Sequence, residues 1–159
     1  MTIQQGDRLP SSKVYVMQEG KPALVDIGDI TAGKRVVLFS VTGAFTTTCS
    51  NTHLPSFVVQ ADAIMAKGVD EIMCIAVNDP FVMDSWGKSA NADAITMIGD
   101  GNAEFSSALG LTLDASRFGM GVRSMRYAMV IEDGVVTHLA VDEPGKLEVS
   151  HGEAVLAAL

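Results

Sequence analysis

Two apolar runs separated by a helical repeat constrain this chain more than any other feature of its sequence. Val36 to Val41, VVLFSV, is apolar at odd and even positions alike, as a strand is when both faces of its sheet are covered. Glu71 to Val77, EIMCIAV, has the same character. Between them Leu54, Phe57, Val58, Ala61, Ile64 and Met65 recur at the spacing of one helix face, and Gly68 supplies a stop. Strand, helix and strand of this kind make a β-α-β unit with parallel strands and a right-handed crossover. In such sheets the reactive edge lies at the carboxyl ends of the strands.

The remaining elements fit around that unit. Val14 to Met17 and Ala23 to Ile27 read as an N-terminal hairpin, and GDITAGKR as a turn with at most one helical turn. NDPFVMDSWGKS, from Asn78, reads as a turn and a short helix carrying Phe81, Val82 and Trp86, and Thr96 to Ile98 as another strand. A helix from about Ala103 to Leu109 ends at Gly110, and the Gly-rich stretch RFGMGVRSMR leads into a strand from Tyr127 to Glu132. Asp133-Gly134 signals a hairpin with an antiparallel return over Val135 to Val141, and a helix over Gly152 to Leu159 closes the chain. The expectation is one α/β domain over residues 1–159, with a mixed central sheet and helices on both faces.

Composition excludes several function classes. A net charge of −8 and the lack of a Lys/Arg cluster oppose nucleic-acid binding. No apolar run approaches the roughly 20 residues that cross a bilayer, and MTIQQGDRLP lacks a signal-peptide pattern, so the sequence predicts a soluble, cytoplasmic protein. Two cysteines, Cys49 and Cys74, are too few for a disulfide scaffold, and His53, His138 and His151 show no metal-ligand spacing with them.

Chemistry concentrates where the first apolar strand ends, in VTGAFTTTCSNTHLP. Cys49 there stands between a Thr-rich loop and the amphipathic helix, where unpaired backbone N–H groups and the helix dipole favour a thiolate. Pro55 obstructs a helix that starts near Cys49, so the sequence permits either a kinked first turn or a separate turn before a helix starting at Pro55. Activation of the thiol has a ceiling. A free cysteine is already about 3% thiolate at neutral pH, so complete ionisation gains at most roughly 30-fold. Fast chemistry on an oxidant needs donors that polarise the bond being broken as well.

GAFTTTC followed by SNTHLPSF, then VNDPFVMDSWGK, GVRSMRY and VIEDGVV, resembles the peroxiredoxins over nearly the whole length, most closely the type II group that includes peroxiredoxin-five. The resemblance implies a thioredoxin-like fold and reduction of hydrogen peroxide and alkyl hydroperoxides through a sulfenic acid on Cys49. Thr46 and Arg126 would bind and polarise the peroxide, with Arg123 the second choice for the arginine. It implies no metal or organic cofactor, a homodimer, and recycling by glutaredoxin with glutathione or by thioredoxin. Two family prolines are absent, replaced by Thr42 and Thr47, and Val149 stands where peroxiredoxin-five carries a resolving cysteine. Cys74 reads either as a small buried hydrophobe or as an auxiliary thiol, and Trp86 with Phe81 as core or dimer contact. A redox sensor or binding protein of the same fold, slowed by Thr42 and Thr47, is the competing reading. A Cys49–His53 thiol hydrolase is a third.

Overall fold

The computed structural model describes residues 2–159. Strands β1 (Lys13–Gln18) and β2 (Lys21–Asp26) form the N-terminal hairpin, and a single helical turn, α1 (Ile27–Thr31), is capped by the Asp26 carboxylate. Next come β3 (Arg35–Ser40), a π-helical turn at Cys49–His53 running directly into α2 (Leu54–Ala66), and β4 (Glu71–Ala76). The chain continues through α3 (Pro80–Ser89), β5 (Ile95–Gly99) and α4 (Glu104–Leu109). It then passes through β6 (Thr112–Asp114), β7 (Val122–Ser124), β8 (Tyr127–Glu132), β9 (Val135–Val141) and α5 (Gly152–Ala158).

Seven strands form one sheet in the order β2-β1-β5-β4-β3-β8-β9. The centre is parallel, β3 with β4 and β4 with β5, and the pairs outside it are antiparallel. The apolar character of β3 now has its physical cause. Val37, Phe39 and Val41 pack on one face against α2, α3 and α5, while Val36 and Leu38 pack on the other against α1 and α4. All five are fully buried, each worth about 1.5–3 kcal/mol for a large side chain removed from water. The fold is thus α/β, a mixed sheet covered by helices, and it agrees with the thioredoxin-like fold that the resemblance implies.

The hairpin read at Asp133-Gly134 has φ +46° and +79° at its two central residues, the primed turn whose twist matches the flanking strands. The Gly-rich stretch contains more order than its composition suggests, because β6 and β7 pair into a second, two-stranded sheet. Around Pro55 the structure takes neither sequence alternative whole. Winding begins by Thr47, widens to a π turn whose Leu54 N–H donates to the Cys49 carbonyl, and continues unbroken into α2.

Candidate active site

Cys49 lies at the carboxyl end of β3, on the third residue of the helical run, with its side chain fully buried. This first turn is the positive end of the helix dipole, which favours negative charge near it. Arg126, immediately before β8, reaches it from the neighbouring strand, its Nη2 donating to Cys49 Sγ at 3.3 Å. A guanidinium at that distance offers N–H groups to the sulfur and to an oxygen approaching it.

His53 completes the arrangement in a way its spacing from Cys49 does not reveal. Arg126 Nη1 donates to His53 Nδ1 at 2.8 Å, while His53 Nε2 lies 2.9 Å from the Ser150 carbonyl. Arginine can only donate, so Nδ1 must be bare and Nε2 must carry the hydrogen. The ring sits among Phe39 and Phe57, at centroid distances of 5.2 and 5.7 Å. Burial, with the Arg126 charge in support, lowers its pKa from 6.5 to about 3 despite the Ser150 carbonyl. A neutral imidazole with both nitrogens occupied cannot serve Cys49 as a base, which removes the hydrolase reading.

Thr46 lines the cavity above this group, but its hydroxyl donates to the Gly43 carbonyl at 2.6 Å. With that proton committed, its remaining capacity is to accept a hydrogen bond, not to donate as its sequence position suggested. Arg123 is drawn away from the sulfur. Its Nε donates to the Met120 carbonyl and its Nη1 to the Val77 carbonyl, each at 2.9 Å, so it fastens loops instead.

Cys74 is fully buried in β4, and burial, then the neighbouring Cys49, pushes its thiol well above the usual range. Trp86 and Phe81 differ in burial. Trp86 is core, its Nε1 donating to Ser50 Oγ at 3.0 Å, whereas Phe81 is 58% exposed. A cavity of about 620 Å³ beside this group is walled by Thr42, Thr46, Thr47, Thr48, Leu113, Phe118, Met120 and Arg126, among others, and Cys49 lies buried behind that wall.

Sequence reasoning missed two residues behind this site, Asp142 and Ser150. Both are buried polar groups on the segment after β9, and only their long-range bonding, invisible to periodicity, marks them. Among the described residues no cluster of three or more His, Cys, Asp or Glu could hold a metal ion. Nor is any of their helices long and apolar enough to cross a membrane.

The Redoxin family matches residues 4–156. Peroxiredoxin-2E-2, chloroplastic, of Oryza sativa subsp. japonica is 44% identical, covering 99% of this chain and 73% of its own length. Peroxiredoxin-2C of the same species is also 44% identical, over 97% and 96%. Reduced Prx3 from Vibrio vulnificus, solved in complex with hydrogen peroxide, superposes with a TM-score of 0.96 at 48% identity, covering 99% of both chains. Peroxiredoxin 5 from Alvinella pompejana gives 0.86 at 38%, covering 98% of this chain and 97% of its own. With a cysteine held at a helix start beneath a guanidinium and these relatives spanning it end to end, the chain belongs to the redoxin family as a peroxiredoxin, a thiol-dependent peroxidase that works through a cysteine sulfenic acid.

Proposed function

We propose that Cys49 is the peroxidatic thiol, that Arg126 polarises the peroxide, and that Thr46 holds it by accepting its O–H. The observation that carries this reading is the Arg126 guanidinium, whose two terminal nitrogens meet His53 and Cys49 at once. The Cys49 thiolate attacks one peroxide oxygen. The S–O bond forms as the O–O bond breaks, and the departing oxygen takes a proton and leaves as water or an alcohol. Donors aimed at the oxygen where charge develops supply more acceleration than thiolate formation can.

A cavity of about 620 Å³ with Leu113, Phe118 and Met120 in its walls suits alkyl hydroperoxides as well as hydrogen peroxide. Cys74 is sealed in the core and Val149 is no thiol, which supports reduction of the sulfenic acid by glutathione with glutaredoxin, or by thioredoxin. The exposed Phe45 and Phe81 support a homodimer, and the two free thiols support the cytoplasm as its compartment. We read residues 1–159 as one domain. Peroxide consumption with each reductant, measured for the unsubstituted protein and Cys49→Ser, tests the assignment: loss of turnover in the variant is expected, and equal rates would sink it.

A further inference from the structure

Behind Arg126 stands a carboxylate that the chemistry described so far leaves without a task. Asp142, at the end of β9, is 3% exposed, and its side chain gathers four donors from the segment that follows. The N–H groups of Glu148, Val149 and Ser150 donate to it at 2.9, 3.1 and 3.1 Å, and the Ser150 hydroxyl at 2.6 Å. Burial pushes this carboxyl up, yet the Ser150 hydroxyl and the backbone N–H groups outweigh it and hold the group below the usual carboxylate range. The result is a strap over residues 143–150, closed by an ionised side chain.

Its far end is fastened too. Gly152 N–H donates to Ser56 Oγ at 2.9 Å, and that hydroxyl donates to the His53 carbonyl at 2.7 Å. A Cβ at Gly152 would collide with the Ser56 carbonyl, so only glycine permits this approach. Held at both ends, the strap walls the cavity with Pro144 and Gly145 and presents to His53 the Ser150 carbonyl that takes the hydrogen of Nε2. The near end meets Arg126 as well, through Asp142 N–H donating to the Arg126 carbonyl at 2.9 Å.

We propose that Asp142 is a positioning residue for the reaction at Cys49: its carboxylate folds the strap whose Ser150 carbonyl selects the tautomer of His53, and the bare Nδ1 of that ring aims Arg126 at the sulfur. This rests on the assignment of Cys49 and Arg126 above. The physical requirement is directional. Were the imidazole hydrogen on Nδ1, two donors would face each other across 2.8 Å and the guanidinium would have to turn away.

Two measurements test the strap. Nitrogen-15 NMR of His53 in the unsubstituted protein reports its tautomer without reference to turnover. A single Nε2–H form at neutral pH is expected, and an Nδ1–H form or a mixture overturns the proposal. The second is Asp142→Asn, which keeps the size but replaces one acceptor oxygen with a donor. Loss of the single tautomer is expected, with kcat/KM for hydrogen peroxide down on the order of tenfold, since small misplacements of a catalytic group cost up to about a hundredfold. A folded Asp142→Asn with tautomer and kcat/KM unchanged overturns the strap while leaving the peroxidase assignment intact. If the parent itself shows no Cys49-dependent consumption, it is that assignment that fails. Should Asp142→Asn not fold, an Nδ1–H form or a mixture in the unsubstituted protein still overturns the proposal.

Discussion

At the scale of single residues, the site is a competition for one guanidinium. Arg126 spends one nitrogen on His53 and keeps another for Cys49, a division that needs a planar fork. Lysine carries the same charge on a single point and cannot meet both partners. Arg126→Lys is therefore expected to lose about a hundredfold in kcat/KM, the scale of removing one preorganised donor, with initial peroxide-consumption rates as the check. A variant within about threefold of the parent would show that charge alone suffices. His53 yields a pH prediction. Its folded-state pKa, about 3, lies below the unfolded value near 6.5, so between those values the unfolded chain binds the extra proton. Stability accordingly falls as pH drops through that window, by on the order of 2 kcal/mol between pH 7 and pH 5. Urea unfolding at the two pH values should show this loss in the parent and not in His53→Gln. Equal losses in both would remove His53 as its source.

At the scale of elements, the π turn carries the chain through Pro55 into α2 without a break, and Cys49 and His53, four residues apart on it, meet adjacent nitrogens of Arg126. The sequence displayed the conflict at Pro55 but not its resolution, because the widened turn answers to a partner 77 residues away from Cys49. Legibility followed the same line elsewhere. The two-faced burial of β3 and β4 and the Asp133-Gly134 turn are local patterns, and they read correctly, as does the stripe of α2 except at its end, where Met65 is exposed. The strands β6 and β7 are three residues each and have no periodicity to read, while the Ser150 carbonyl acts as an acceptor whatever its side chain. Cys49 is legible from its place at the strand-to-helix junction, Thr46 and Arg126 only through resemblance, and the contacts of all three come only with the fold. Thr47 opens the helical run, where proline's fixed φ is already helical and its missing N–H costs no bond. Thr47→Pro is expected to stabilise the protein by about 0.4–1 kcal/mol in denaturant unfolding, through the unfolded chain, and destabilisation would show that the Thr47 N–H has a partner.

At the scale of the whole molecule, the rim of the site is an apolar surface. Phe45 is 55% exposed and held at φ +63°, a conformation that costs a large side chain roughly 1–2 kcal/mol. Its ring lies 6.5 Å from that of Trp86 on α3, whose first turn exposes Phe81. The loops are tied together beneath, Ala44 N–H donating to Asn78 Oδ1 and Arg123 fastening the start of β7 to Val77, so Val122, 55% exposed, belongs to the same end of the sheet. Strain maintained to present a phenylalanine to water is accounted for if a second copy covers it. Each chain carries a net charge of −8, so two copies would repel at long range and would have to be held by apolar contact at short range. Screening shortens that repulsion from about 30 Å at 0.01 M salt to about 8 Å at 0.15 M. Sedimentation velocity should accordingly find a dimer that tightens as salt is raised, the reverse of an interface built on opposite charges. Phe45→Asp adds a charge to each side of the apolar contact and is expected to shift the protein to monomer at every salt concentration. A dimer indifferent to Phe45→Asp, or one that salt dissociates, would place the contact on another face.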